Sequence, residues 1–202
     1  INLPPDDRLC APISRGNLSP LADFDIFITK AWHRQEVQAS LQWFRAAWPK
    51  WQRASALHEQ YTNLLQSGNY RKATPVAEEM LKLGEEVLGA EHVVVSIFMI
   101  ELAISHHYSG QHAQAIPLYQ RALAFSEKTQ GPKHPDTGAS LNNLARLFQD
   151  MGQFTQALPL YQRAQAIVEK TKGLEHPDTG TSLNNLASLY QAMGQYAQAL
   201  PL

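Results

Sequence analysis

Residues 110–151 read GQHAQAIPLYQRALAFSEKTQGPKHPDTGASLNNLARLFQDM, and residues 152–193 read GQFTQALPLYQRAQAIVEKTKGLEHPDTGTSLNNLASLYQAM. The two stretches align without a gap, and 29 of their 42 positions are identical. A diverged third copy occupies residues 68–109, and a fourth begins at Gly194. Gly68, Gly110, Gly152 and Gly194 fall on one register, as do Pro75, Pro117, Pro159 and Pro201. A period of this size marks an array of supersecondary units, each relying on its neighbours to cover its apolar face.

Each unit reads as two helices. Leu141, Leu144, Ala145 and Phe148 recur at spacings of three, four and seven, which is one face of an α-helix. Gly152 ends that helix, because glycine accepts the left-handed conformation that closes a helix C-terminus. Phe154, Ala157, Tyr161 and Ala164 then mark a second helix running to about Lys170. The stretch 173–178, GLEHPD, breaks it and opens the next unit, with Pro177 and Asp178 suited to a first helical turn. Helices are therefore expected near 54–67, 69–88, 94–109, 111–130, 136–151, 153–171 and 178–193.

The pattern large–x2–Leu-Ala–x2–aromatic, followed by Gly, aromatic, Ala, aromatic and Ala at fixed offsets, resembles the tetratricopeptide repeat. The long unit, with its HPDT and SLNNLA segments, resembles the repeats of kinesin light chains and their bacterial relatives. The resemblance covers residues 68–202 and fades upstream, where Leu57, Tyr61 and Leu64 keep the register of an earlier first helix but Gln60 takes a Leu position. In 68–109, His106 replaces the aromatic and Val93-Val94 replace Pro-Asp. The implied architecture is all-α, a right-handed helical solenoid of antiparallel helix pairs. The expected division is an N-terminal Pro/Trp-rich capping segment, 1–52, and an array, 53–202, with units near 53–88, 89–130, 131–172 and 173–202.

Pro4, Pro5, Pro12 and Pro20 make residues 1–25 read as irregular, and a helical pattern begins near Ile28 and runs to Trp48. All four tryptophans, Trp32, Trp43, Trp48 and Trp51, lie in that stretch and its edge. A cap over the open end of the first repeat, or an aromatic docking patch, accounts for them.

With 44% hydrophobic and 17% charged residues, a formal net charge of −1 and no long Lys/Arg run, the composition argues against nucleic acid or anionic membrane as the main partner. The most apolar stretch, 93–105, is too short to span a bilayer and carries Glu101. The lone Cys10 forms no internal disulfide. A cytoplasmic location is expected, although the chain starts at Ile1 without a Met, which leaves a removed leader open.

No constellation reads as catalytic, so the chain is expected not to be an enzyme and to carry no cofactor. His134-Pro135-Asp136 and His176-Pro177-Asp178 recur with the repeat and read as loop punctuation. His106, His107 and His112 cluster near one turn without the convergent ligands of a metal site. Glu78, Glu79, Glu85 and Glu86 read as solvated helix surface.

The candidate binding face follows from helix geometry. At 100° per residue, Ala139, Asn142, Asn143, Arg146, Gln149 and Asp150 lie opposite the apolar stripe. The resemblance implies that this face lines a concave groove. One repeat on stand Thr181, Asn184, Asn185, Ser188, Gln191 and Ala192; one repeat back stand Ile97, Ile100, Glu101, Ile104, His107 and Tyr108. Asn carries both donor and acceptor, which suits an extended peptide backbone. The expected partner-binding residues are Asn142, Asn143, Arg146, Gln149, Asn184, Asn185, Ser188 and Gln191. The reading is a protein–protein interaction scaffold for a peptide or partner domain. A sensor module of a larger multidomain enzyme or signalling protein, and a self-assembling array, are the alternatives.

Three further expectations concern particular segments. The end at Leu202 packs on another chain or frays, leaving Leu186 and Tyr190 without cover from their own chain. The acidic–apolar stretch Leu21-Ala22-Asp23-Phe24-Asp25 imitates a groove ligand. Residues from about 20 to 52 fold back onto the helix near 94–109, covering Ile97, Ile100 and Ile104 with Trp side chains and the run Phe24, Ile26, Phe27, Ile28.

Overall fold

The computed structural model describes residues 35–199. Expectations about Cys10, residues 1–25, the ligand-like stretch at Leu21 and the apolar run at Phe24 lie outside the described residues. The chain divides into two units, residues 1–49 and 50–202. The described residues form eight helices and no strand: α1 (Gln35–Gln66), α2 (Tyr70–Leu88), α3 (Val93–Tyr108), α4 (His112–Thr129), α5 (Pro135–Asp150), α6 (Phe154–Lys172), α7 (Pro177–Ala192) and α8 (Tyr196–Ala199).

From α2 to α7 every boundary falls within a residue or so of the sequence expectation, because one turn chemistry repeats. Gly68, Gly110, Gly152 and Gly194 have φ of 68°, 80°, 72° and 72°. Around Gly152, the Gln153 N–H donates to the Phe148 carbonyl at 2.8 Å and the Gly152 N–H to the Gln149 carbonyl at 2.9 Å. That pair of bonds is a Schellman closure, and the same two bonds recur at Gly68, Gly110 and Gly194. It reverses the chain between the two helices of a unit.

The core repeats as the turns do. Leu102, Leu144 and Leu186 are buried at the same register position, and so are Ala73, Ala115, Ala157 and Ala199. The alanines let second helices approach first helices closely, while each buried leucine contributes about 1.5–3 kcal/mol. Leu144, Leu147 and Phe148 share one cluster with Ala115, Tyr119, Ala157, Tyr161, Leu186 and Leu189, so that α4 to α7 bury a continuous core. The fold is an all-α solenoid of antiparallel helix pairs.

Three expectations are corrected here. The Trp-rich helix and the first repeat helix are not separate: α1 runs uninterrupted through Pro49. Proline inside a helix costs about 3 kcal/mol, but Ala47, Trp51, Ala54, Leu57 and Tyr61, all buried and spaced three or four apart, form a stripe that passes across it. Residues 35–52 are thus part of α1, and the earlier residues of the segment expected to fold back onto α3 lie outside the described residues.

The second apolar stripe of α3 is covered in part by the next unit. Ile100 and Ile104 are half-buried against the cluster that holds Leu144, Leu147 and Phe148. Ile97 and Tyr108 remain 47% and 48% exposed. The facing surface of the next unit reaches the middle of the stripe and leaves its two ends open.

At the other end, Leu186 is only 6% exposed. Tyr190 is half-buried and accepts from the Gln162 amide at 3.3 Å. The preceding unit, through α6, and the short α8, with Ala199 buried, supply the cover that was expected to be missing.

Candidate functional site

The histidine of each HPD-like segment is an N-cap. The Nδ1 of His134 accepts from the Asp136 backbone N–H at 3.2 Å, and the Nδ1 of His176 accepts from Asp178 at 3.1 Å. His92 does the same to Val94 at 3.2 Å, although Val has replaced Pro-Asp there. Thr137 and Thr179 add hydroxyl bonds to the carbonyls of Gly131 and Gly173 at 2.8 and 2.7 Å. These contacts set where α3, α5 and α7 begin, and therefore how their outer faces align.

Of the expected partner-binding residues, three are engaged within the array. Gln149 donates to the Ser188 hydroxyl at 3.2 Å and accepts from the Tyr161 hydroxyl at 3.0 Å. It ties α5, α6 and α7 together. Arg146 lies 3.4 Å from Asp150, and the buried His107 reaches the same carboxylate from α3 at 2.9 Å. Burial holds the His107 imidazole below its ordinary pKa, with the bond to Asp150 opposing that shift. Burial likewise pushes the Tyr161 hydroxyl up to about 12, keeping it a donor.

The remaining five behave differently. Asn143, Asn184, Asn185 and Gln191 make no side-chain hydrogen bond among the described residues. Asn142 is half-buried, and its Oδ1 is wholly buried without a partner. One repeat back, Glu101 occupies the register position of Asn143 and Asn185. Its side chain is 15% exposed, Oε1 lies 3.3 Å from His58 Nδ1, and Oε2 is buried without a partner. Burial raises the Glu101 carboxyl above the usual carboxylate range, against the pull of His58.

By sequence the α3 end of this face is apolar, and nothing local marks Glu101 as a carboxylate held partly out of water. The signal that could have found it was a carboxylate standing at an Asn register position, between Ile100 and Ile104.

Other candidates resolve into structural roles. His106 bonds Gln111 at 2.7 Å, and among the described residues no three metal-ligating side chains converge. Glu79, Glu85 and Glu86 pair with Arg53, Arg121 and Lys50 at 2.9, 2.7 and 2.6 Å on exposed helix surface. Such pairs contribute little. No helix among the described residues is long and apolar enough to cross a membrane.

The sequence matches the tetratricopeptide repeat profile over residues 52–128, 95–164 and 140–202. The chain belongs to the tetratricopeptide repeat family. The array is similar to the crystal structure of nearly identical TPR-like repeats of kinesin light chain type from Podosopora anserina. That similarity has a TM-score of 0.67 and 32% identity over 74% of this chain and 71% of that one. A point variant of the same protein gives a TM-score of 0.66 and 31% identity over 74% and 70%. The fold is also that of BtubC (BKLC) from P. vanneervenii, with a TM-score of 0.66 and 23% identity over 73% of this chain and 59% of that one. No curated protein matches the sequence significantly. Tetratricopeptide repeats generally mediate protein–protein interaction, and this fold is a scaffold type without catalytic machinery of its own.

Proposed function

We propose that this tetratricopeptide array holds an extended peptide or a partner domain in the concave groove lined by its first helices, α3, α5 and α7. One observation carries the reading. Asn143, Asn184, Asn185 and Gln191 repeat along that face with hydrogen-bonding capacity that no described residue uses. Asn offers a donor and an acceptor together, which matches a peptide backbone, and a ladder of them at the repeat period matches an extended one. Gln149, Ser188 and Arg146 support that face from within the array. On the same reading the division falls inside α1, with residues 1–52 as the cap and residues 53–202 as the binding array.

The test is a partner captured by the full chain, identified, and then titrated against the native protein and a variant combining Asn143→Ala, Asn184→Ala and Asn185→Ala. The expected outcome is a loss of about tenfold or more in affinity with the helical circular dichroism unchanged. Equal affinity for the two proteins overturns the face assignment.

A further inference from the structure

On the reading that the first-helix face binds an extended segment, we propose that its α3 end is a subsite for a basic residue, Arg or Lys, flanked by apolar residues of that segment. Two buried acceptor atoms without partners lie on this face, Glu101 Oε2 on α3 and Asn142 Oδ1 on α5. Buried polar atoms are almost always satisfied in native structures, so each orphan asks for a donor. Both orphans are acceptors, and a guanidinium or ammonium is donor-only.

The charge on the face has the matching sign. Among the described residues the outer positions of α3, α5 and α7 carry the carboxylates of Glu101 and Asp150 against one fixed cation, Arg146, and Glu59 stands one register back on α1. That cation already faces Asp150 at 3.4 Å. His58 engages only Oε1 of Glu101, at 3.3 Å, and its own side chain is half exposed.

The surroundings suit the stem of a basic side chain. Ile97 is 47% exposed on the same helix, with the half-buried Ile100 and Ile104 beside Glu101. Arg and Lys lay their methylenes along such surface while the head reaches a carboxylate, and a charge-assisted bond in a partly dry site is stronger than one in open water. An acidic residue there would meet Glu101 and be rejected. An isolated apolar residue would leave both orphans unmet.

The experiment uses two synthetic peptides with one extended Leu/Ile-containing frame, differing only in a central arginine or its neutral isostere citrulline. Fluorescence anisotropy follows their binding to the full native chain and to Glu101→Gln, which keeps the side-chain shape. The expected result is a preference for the arginine peptide of about tenfold in the native chain, lost in Glu101→Gln, while the citrulline peptide binds both equally. Retention of native helicity by Glu101→Gln shows that the loss is not unfolding. A native chain that binds both peptides alike, with Ile97→Ser weakening both, overturns the subsite and leaves the binding face standing. A preference that survives in Glu101→Gln also overturns the subsite. Binding of neither peptide overturns the subsite and the face together.

Discussion

The imidazole Nε2 of His107 lies 2.9 Å from Oδ2 of Asp150, at the next register position one repeat further on. The histidine side chain is almost wholly buried, whereas the carboxylate is about one-third exposed. The ring stacks on Tyr108 at 4.6 Å and meets His112 and Tyr119 edge-on. The contact joins two repeats that the backbone connects only through α4.

Acid should therefore loosen this junction. The folded-state pKa of His107 lies below its ordinary value of 6.5, mainly through burial. Below 6.5 the unfolded chain takes up the proton more readily, so stability falls as pH falls through that window and is fully present above it. His92 is shifted the same way by burial and adds to the slope. In His107→Gln, which places there the residue found at 149 and 191, urea midpoints at about pH 7.5 and about pH 5.5 should differ less than in the native chain. An unchanged difference would show that the junction does not sense the proton.

Glu101 carries the opposite sign. Its folded-state pKa is raised above 4.5 by burial, so the folded chain holds its proton longer, and stability falls as pH rises from 4.5 through the raised value. Glu101→Gln should remove that fall and be at least as stable as the native chain at neutral pH. A variant markedly less stable there would mean that the carboxylate is needed to hold His58, not to meet a ligand.

The capping histidines give a local test. His134→Ala removes the acceptor for the Asp136 N–H and should cost about 0.5–2 kcal/mol, as loss of other N-caps does. His134→Ser should restore most of it, since serine caps well. Equal urea midpoints for His134→Ala and the native chain would discard the capping role.

What was legible in the sequence, and what was not, divides along physical lines. Gly152 and its register mates are local signals: a positive φ ends a helix wherever it occurs, so the ladder from α2 to α7 could be read directly. The union of the first two helices across Pro49 could not, because it depends on burial of a stripe from Ala47 to Tyr61 outweighing a proline. Histidine is a rare N-cap, so His134 and His176 read as punctuation without a mechanism. Glu101 looked like one polar residue in an apolar helix; only the placement of His58 from α1 and of the neighbouring isoleucines reveals a dry carboxylate with a spare oxygen. Gln149 and Ser188 belonged to the expected binding set on helix geometry, but that geometry says nothing of the distance across α5 and α7 at which they bond each other.

That last pair allows structural and binding residues to be separated by experiment. Gln149 spends both ends of its amide on Ser188 and Tyr161. Gln149→Ala removes two hydrogen bonds and leaves the Tyr161 hydroxyl, half in the core, without its acceptor. A loss of about 1–3 kcal/mol in unfolding free energy is expected. Asn184 is exposed and bonds to no described residue, so Asn184→Ala should stay within about 0.5 kcal/mol of the native chain. If the face binds as proposed, the order reverses for partner affinity per unit of stability lost: Asn184→Ala weakens binding while barely moving the urea midpoint. Gln149→Ala moves the midpoint first, and its effect on affinity should shrink when measured at a temperature where both proteins are fully folded. A double-mutant cycle on Gln149 and Ser188 should give a coupling energy of at least about 0.5 kcal/mol. A cycle on Gln149 and Asn184 should give about none. Coupling at the second pair and not the first would mean that the amide of Gln149 faces the partner and that the ladder, not the α5–α7 bond, sets its orientation.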